Sequence, residues 1–318
     1  MRRGGLALPL LLVACGGAQS PLAPAGDQAD ALHGLLLLML GVCGFMYLLV
    51  IGGLGWSLAR KRRAVDDRRL ERTAWGAAGL IVAGLTVLIV GSFFADRALF
   101  ATRAMPALEV RVTGQQWWWR VEYRDRRTGR VVETANELHL PAGRVTRLTL
   151  ASADVIHSFW VPNVAGKLDM IPGRRNLLDL TPRRVGWFRG QCTEFCGAQH
   201  AHMAFDVRVE PAAAFDRWLA AQGASAAGGA GLGPAVFAGR CASCHAIRGT
   251  DAGGRAGPDL THVASRRSLA AGTLPMTRGA LQGWIAQPQA VKPGTSMPTV
   301  TLSGPEADAV ARYLAGLR

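Results

Sequence analysis

The sequence predicts a multidomain chain: an N-terminal two-helix transmembrane hairpin, an all-β sandwich and a small all-α C-terminal domain. Three observations lead there. Two long apolar runs flank a short cationic loop, the middle of the chain is a series of short β-type runs separated by Gly/Pro turns, and the last part carries helical segments among Gly/Pro-rich loops. A chain of 318 residues has room for about two or three domains.

The bulk numbers narrow the class. A hydrophobic content of 49% and a mean hydropathy of +0.16 exclude a disordered chain and direct attention to membrane segments. The net charge of +14 and pI near 10.8 raise nucleic-acid binding. The placement of the charges excludes it. Arg60, Lys61, Arg62, Arg63, Arg68, Arg69 and Arg72 share one loop between apolar runs, and the remaining arginines form neither a basic stripe nor a nucleic-acid motif. No nucleic-acid partner is expected.

Residues 1–15 read as a signal segment, with Arg2-Arg3, an apolar stretch and then Leu12-Val13-Ala14-Cys15. That ending resembles a bacterial lipoprotein box, which makes Cys15 the expected lipidated N-terminus. The apolar runs Leu32–Ala59 and Ala74–Ala95 each exceed or match the ~20 residues needed to cross a bilayer, defining a hairpin over 30–96. The cationic loop between them is expected in the cytoplasm, so everything after the hairpin faces the outer, periplasmic side of a bacterial inner membrane.

Short strands are expected at Glu109–Thr113, Trp117–Tyr123, Val131–Thr134, Arg144–Ala151, Arg175–Leu180 and Phe205–Glu210, with an amphipathic helix around Ala212–Ala221 closing a domain at 107–221. Residues 222–232 are Ala/Gly/Ser-rich and read as a flexible linker. Helical segments at Pro234–Arg240, Leu281–Ala286 and Pro305–Leu317 then make a small domain over 233–318, whose core is slight enough to need a staple.

Six cysteines are present, and two local pairs carry chemistry. Cys192-Thr193-Glu194-Phe195-Cys196-Gly197-Ala198-Gln199-His200-Ala201-His202-Met203 gathers two thiols, an imidazole and a thioether in one stretch. Thiolate and thioether ligands favour copper, and two cysteines allow two coppers to be bridged if a second histidine arrives from elsewhere. His157, expected in a loop just after a strand, is the candidate. A zinc site and a disulfide are the competing readings; structural zinc more often pairs a C-x2-4-C with a second, distant pair, and a disulfide leaves the His and Met unexplained. Cys241-Ala242-Ser243-Cys244-His245 is the C-x-x-C-H haem-attachment pattern, which also supplies the staple. Met297 is the candidate second axial ligand, with Met276 as the competing sulfur. His33, His139 and His262 have no such context and read as structural or surface residues.

From the hairpin to about residue 220 the chain resembles cytochrome c oxidase subunit II. The likeness rests on Val112-Thr113-Gly114-Gln115-Gln116-Trp117-Trp118-Trp119, on residues 154–163, on Lys167-Leu168-Asp169-Met170-Ile171-Pro172-Gly173-Arg174 and on the cysteine loop. The resemblance implies a cupredoxin-like sandwich holding the dinuclear copper centre CuA. Cys192 and Cys196 would bridge, His157 and Met203 would serve one copper, and His200 and the Glu194 carbonyl the other. It also implies a magnesium site at the Glu194 carboxylate, on the interface with subunit I, and electron input through Trp117. The C-terminal segment, with Gly257-Pro258-Asp259-Leu260 and Lys292-Pro293-Gly294-Thr295-Ser296-Met297-Pro298, resembles class I cytochrome c. The implied whole is the electron-input subunit of a caa-type terminal oxidase. Its partners would be subunits I and III and a cytochrome c or other donor. The oxygen-reducing site would lie outside this chain. Arg72 stands where family members often carry a glutamate for proton uptake, so Glu71 receives no such role. A CuA-containing nitric oxide reductase small subunit and a membrane-tethered electron carrier remain open alternatives.

Overall fold

A computed structural model describes residues 16–60, 66–99, 105–124, 129, 131–226 and 229–318. Cys15 and part of the cationic loop lie outside the described residues. The chain divides into two compact units, residues 28–103 and the remainder.

The smaller unit holds most of α1 (Asp27–Ala59) and all of α2 (Asp67–Leu99), each of 33 residues. At 1.5 Å per residue each is about 50 Å long, against a hydrocarbon core of about 30 Å. Their most apolar stretches have mean hydropathies of 2.6 and 2.3, and no residue in them is fully buried within the protein. Both are long and apolar enough to cross a membrane.

The larger unit begins with the sandwich. Its strands are β1 (Leu108–Gln115), β2 (Trp118–Arg124), β3 (Val131–Ala135), β4 (Glu137–Pro141), β5 (Thr146–Ser152), β6 (His157–Trp160), β7 (Leu168–Met170), β8 (Asn176–Leu180), β9 (Gly186–Cys192) and β10 (Ala204–Glu210). One five-stranded sheet has the order β3-β2-β1-β5-β8 and the other β4-β10-β9-β6-β7. The pairs β1/β5 and β4/β10 are parallel and the rest antiparallel. Alternation places Trp119, Val121 and Tyr123 of β2 inward, together with Leu148 and Leu150 of β5 and Phe159 of β6. The Trp119 and Phe205 rings meet at 4.9 Å, and Phe205 lies across Gly190, its partner on β9. A Cβ at Gly190 would sit 2.0 Å from the Phe205 ring, so only glycine fits there.

His139 lies at the other end of the sandwich. Its Nε2 meets Glu137 at 2.8 Å and its Nδ1 meets Glu210 at 2.6 Å, while the ring stacks on Trp218 at 3.8 Å. Trp218 belongs to α3 (Ala212–Gln222), which closes this end. Burial opposes a charge on His139, but hydrogen bonds and charge from Glu137 and Glu210 outweigh it and raise its pKa.

The C-terminal part contains α4 (Leu232–Arg240), the two-residue strands β11 (Ser268–Leu269) and β12 (Leu274–Pro275), α5 (Arg278–Ala286), α6 (Pro288–Val291) and α7 (Gly304–Ala315). Ser303 caps α7 in a reciprocal box with Glu306. A second cluster around Phe237, Ile247, Leu281, Val310 and Leu314 forms its core.

Several local expectations change. β4, β6, β7 and β9 were not foreseen: β4, β6 and β7 are three to five residues long, and β9 carries two glycines. His157 opens β6 instead of lying in a loop. The start of the expected linker is pinned: Arg248 donates to the carbonyls of Gln222 and Ala224, and Ala226 N–H to that of Arg248. The segment before α1 also packs on the sandwich, with Ala25 buried and bonded to the Asn163 carbonyl.

Two predictions follow from this packing. Gly190→Ala should lower stability by about 1–3 kcal/mol by overpacking against Phe205, measurable by thermal denaturation in detergent. A raised pKa means that the His139 charge stabilises the fold below the ordinary imidazole value of about 6.5, a contribution lost as pH rises through the folded value. The melting-temperature advantage of wild type over His139→Gln should therefore shrink from pH 6 to pH 9, in about that range. A constant gap would exclude this linkage.

Candidate metal and haem centres

Strand register builds the first site. Pairing of β6 with β9 sets Phe159 opposite Cys192 and so brings His157, two residues earlier, beside that sulfur. The loop after β9 returns through a short turn at His200–His202 and delivers Met203 at the start of β10. Gly197, at φ +112°, lets the loop close against Trp117.

The Cys192 and Cys196 sulfurs are free and 3.8 Å apart. His157 Nδ1 lies 3.8 Å from Cys192 Sγ, while His200 Nδ1 and Met203 Sδ lie 3.5 and 3.8 Å from Cys196 Sγ. The Glu194 carbonyl is 3.2 Å from Cys192 Sγ. The structure thus brings together all six residues that the sequence nominated. Among the described residues, the donor atoms of His157, Cys192 and Cys196 meet within 4.8 Å, and the Glu194 carboxylate does not join them.

The electrostatics fit a cation. Hydrogen bonding from Cys196, against opposing burial and with help from His157, lowers the Cys192 pKa to about 3. That interaction and burial together raise Cys196, so the pair keeps one proton. Two thiolates this close are stable only with positive charge between them, which is what metal binding supplies. Asp154 was missed by sequence reasoning. Its carboxylate holds His157 Nε2 at 2.8 Å, leaving Nδ1 toward the sulfurs, and a carboxylate three residues before the histidine was the available signal.

The tryptophan run divides by position. Trp119 is core, Trp118 is half-buried beneath the Arg120 guanidinium and lines the cleft described next, and Trp117 is 8% exposed with its indole N–H donating to the Cys196 carbonyl at 2.9 Å.

The second site is an apolar cleft with about 180 Å³ of free interior volume, lined by Cys241, Cys244, His245, Leu260, Trp284 and Met297 among others. Met276 does not line it. Just after α4, the attachment turn presents both cysteines. His245 Nδ1 donates to the Pro258 carbonyl at 2.8 Å, leaving Nε2 as the free ligand atom. Gln289 braces the opposite loop by donating to the carbonyls of Thr295 and Met297 at 2.8 and 2.9 Å. The cleft also contains buried Arg266, whose Nε has no partner among the described residues. An unpartnered guanidinium nitrogen in an apolar cleft suits a group with acidic arms, as haem has. The donors and the cleft therefore fit haem.

Gly257 lies against the His245 ring, and a Cβ there would stand 2.5 Å from its Cε1. Gly257→Ala should retain covalent haem but alter the optical signature of axial ligation. An unchanged spectrum would show that the ring is not held there.

Known proteins match both halves. The family described as cytochrome c oxidase subunit II, periplasmic domain, matches residues 125–210, and cytochrome c matches residues 230–318. Cytochrome c oxidase subunit 2 of Alkalihalophilus pseudofirmus is 30% identical over 331 aligned positions, covering 98% of this chain and 95% of that protein. The protein of the same name from Bacillus sp. strain PS3 is 30% identical over 343 positions, with the same coverage of 98% and 95%. The solved periplasmic domain of a cytochrome oxidase subunit II from Bradyrhizobium japonicum is 31% identical, with a TM-score of 0.35, covering 37% of this chain and 95% of that one.

Proposed function

The chain belongs to the cytochrome c oxidase subunit II family and carries a cytochrome c domain, and from that premise we propose that it is the electron-input subunit of a terminal oxidase. Electrons from an external donor would pass by way of haem c and CuA to a separate subunit I, which reduces O2 to water with proton pumping. The convergence of two sulfurs, two imidazoles and a thioether at the mouth of the sandwich carries this reading. In it, Cys192, Cys196, His157, Met203, His200 and the Glu194 carbonyl would hold a pair of coppers. A copper pair sharing one electron over two metals and two sulfurs supplies transfer with little rearrangement. Cys241 and Cys244 would anchor the haem, and His245 and Met297 would ligate its iron.

The surrounding residues hold this machinery still and dry. Asp154 fixes the ring of His157, Gln116 and Trp117 both donate to the Cys196 carbonyl, and His157, Cys192, Cys196 and Met203 are buried. Phe195, 77% exposed beside His200, gives the loop an apolar tip suited to subunit I. The two apolar helices and the periplasmic-type domain support a two-pass anchor with both centres on the outer face. Within this reading the copper domain spans 107–221 and the cytochrome domain 233–318, and Cys15 is the lipid attachment point. A magnesium role for Glu194 would depend on ligands from subunit I.

Metal and haem analysis of the purified protein tests the proposal. Wild type should carry two coppers and one covalent haem, and Cys196→Ser should lose the mixed-valence copper signal while keeping the haem. Wild type that holds only zinc, or that forms a Cys192–Cys196 disulfide under copper-replete growth, overturns it.

A further inference from the structure

Three consecutive residues of the C-terminal domain, Lys292, Pro293 and Gly294, rest on the copper loop. Lys292 is only 2% exposed, and its ammonium donates to three carbonyls: Trp117 at 2.6 Å, His202 at 3.0 Å and Ala270 at 3.2 Å. These three bonds use all of its donors. The Pro293 carbonyl accepts from Gln199 Nε2 at 2.9 Å. Gly294, at φ +81°, lies flat on the Trp117 indole, and a Cβ there would touch the ring at 3.6 Å.

These contacts join the two centres through short connections. Met297 follows Gly294 by three residues. Trp117 bonds to the Cys196 carbonyl, and His202 is the residue before Met203. Trp117 also lines the haem cleft. The identity of the residue fits its task. Lys61, Lys167 and Lys292 are the chain's three lysines among 36 cationic residues, so arginine is the usual cation here. An ammonium is a compact charge whose three rotatable donors can follow three convergent carbonyls, whereas a guanidinium presents a rigid planar fork. Burying it is unfavourable, and burial lowers its pKa to about 7.

We propose that Lys292 is a positioning residue that seats the haem-bearing domain on the copper loop and closes Trp117 to soluble donors, so that electrons reach it from the haem side. The proposal rests on the electron-relay reading above, and it commits the external donor to docking on the cytochrome domain.

The assembled, membrane-extracted complex provides two tests. Amine-reactive labelling read by mass spectrometry should modify Lys167, whose side chain is 56% exposed, and leave Lys292 unmodified. Lys292 reacting as fast as Lys167 overturns the proposal, and this arm needs no variant to fold. In Lys292→Met, with haem attachment and ligation verified optically, hydroxyl-radical footprinting should show oxidation of Trp117 that wild type resists. Haem-to-copper electron transfer should be slower than in wild type, because the two groups are no longer held in contact. A Trp117 that stays protected in this variant overturns the role of Lys292 whatever the rate does. Failure of the electron-relay reading would look different: in wild type, reduced haem would not pass its electron to copper at all.

Discussion

The register of β6 against β9 governs the copper site. Ladder hydrogen bonds set Phe159 opposite Cys192, and the side chains two residues along β6 and at the end of β9 then meet at the sandwich mouth. A slip of one residue would turn His157 away from the sulfurs and expose Phe159, one of the largest fully buried side chains. The aromatic core of Trp119, Phe159 and Phe205 therefore enforces the geometry of the ligand set. The ligands need not be strained into place, because the same pattern that buries the rings presents the donors.

A second constraint is the seam between sandwich and cytochrome. It is largely polar. Arg120 donates to the Arg255 carbonyl, Glu137 accepts from Arg267 N–H, Ser268 bonds to Asp206, and Ala204 N–H pairs with the Ala271 carbonyl. Arg267 lies over Trp187 on the sandwich. Glu137 links this seam to the buried His139, since one carboxylate oxygen takes the imidazole and the other the Arg267 amide. Bonds of this kind fix orientation more than they add affinity, which is what a relay between two fixed centres requires. The pinned residues after α3 shorten the free tether and hold the cytochrome close to its partner.

Much of the site was legible in the sequence because its chemistry is local. Cys192, Cys196, His200 and Met203 share one loop, and Cys241, Cys244 and His245 share one turn, so spacing alone grouped them. His157 needed more, since its distance from the loop is spanned by a strand pair. Its own strand is short, as are β4 and β7, while β9 carries glycines; these four were the elements missed. Asp154 was missed although its place three residues before His157 offered a signal, and Arg266 was missed because its purpose is visible only from what faces it.

From the chain order alone came the apolar hairpin, the alternating middle segment, the two cysteine motifs and the residues nominated to hold copper and haem. These are properties of composition and short-range spacing, and they survive any arrangement of the domains. The tertiary structure decided which tryptophan is core and which is covered, and where the linker is tied. It also decided that Lys292, 175 residues from Trp117 in sequence, ends at that residue's carbonyl. Every residue carries a carbonyl, so no sequence pattern distinguishes the three that converge on one ammonium; only folding selects them.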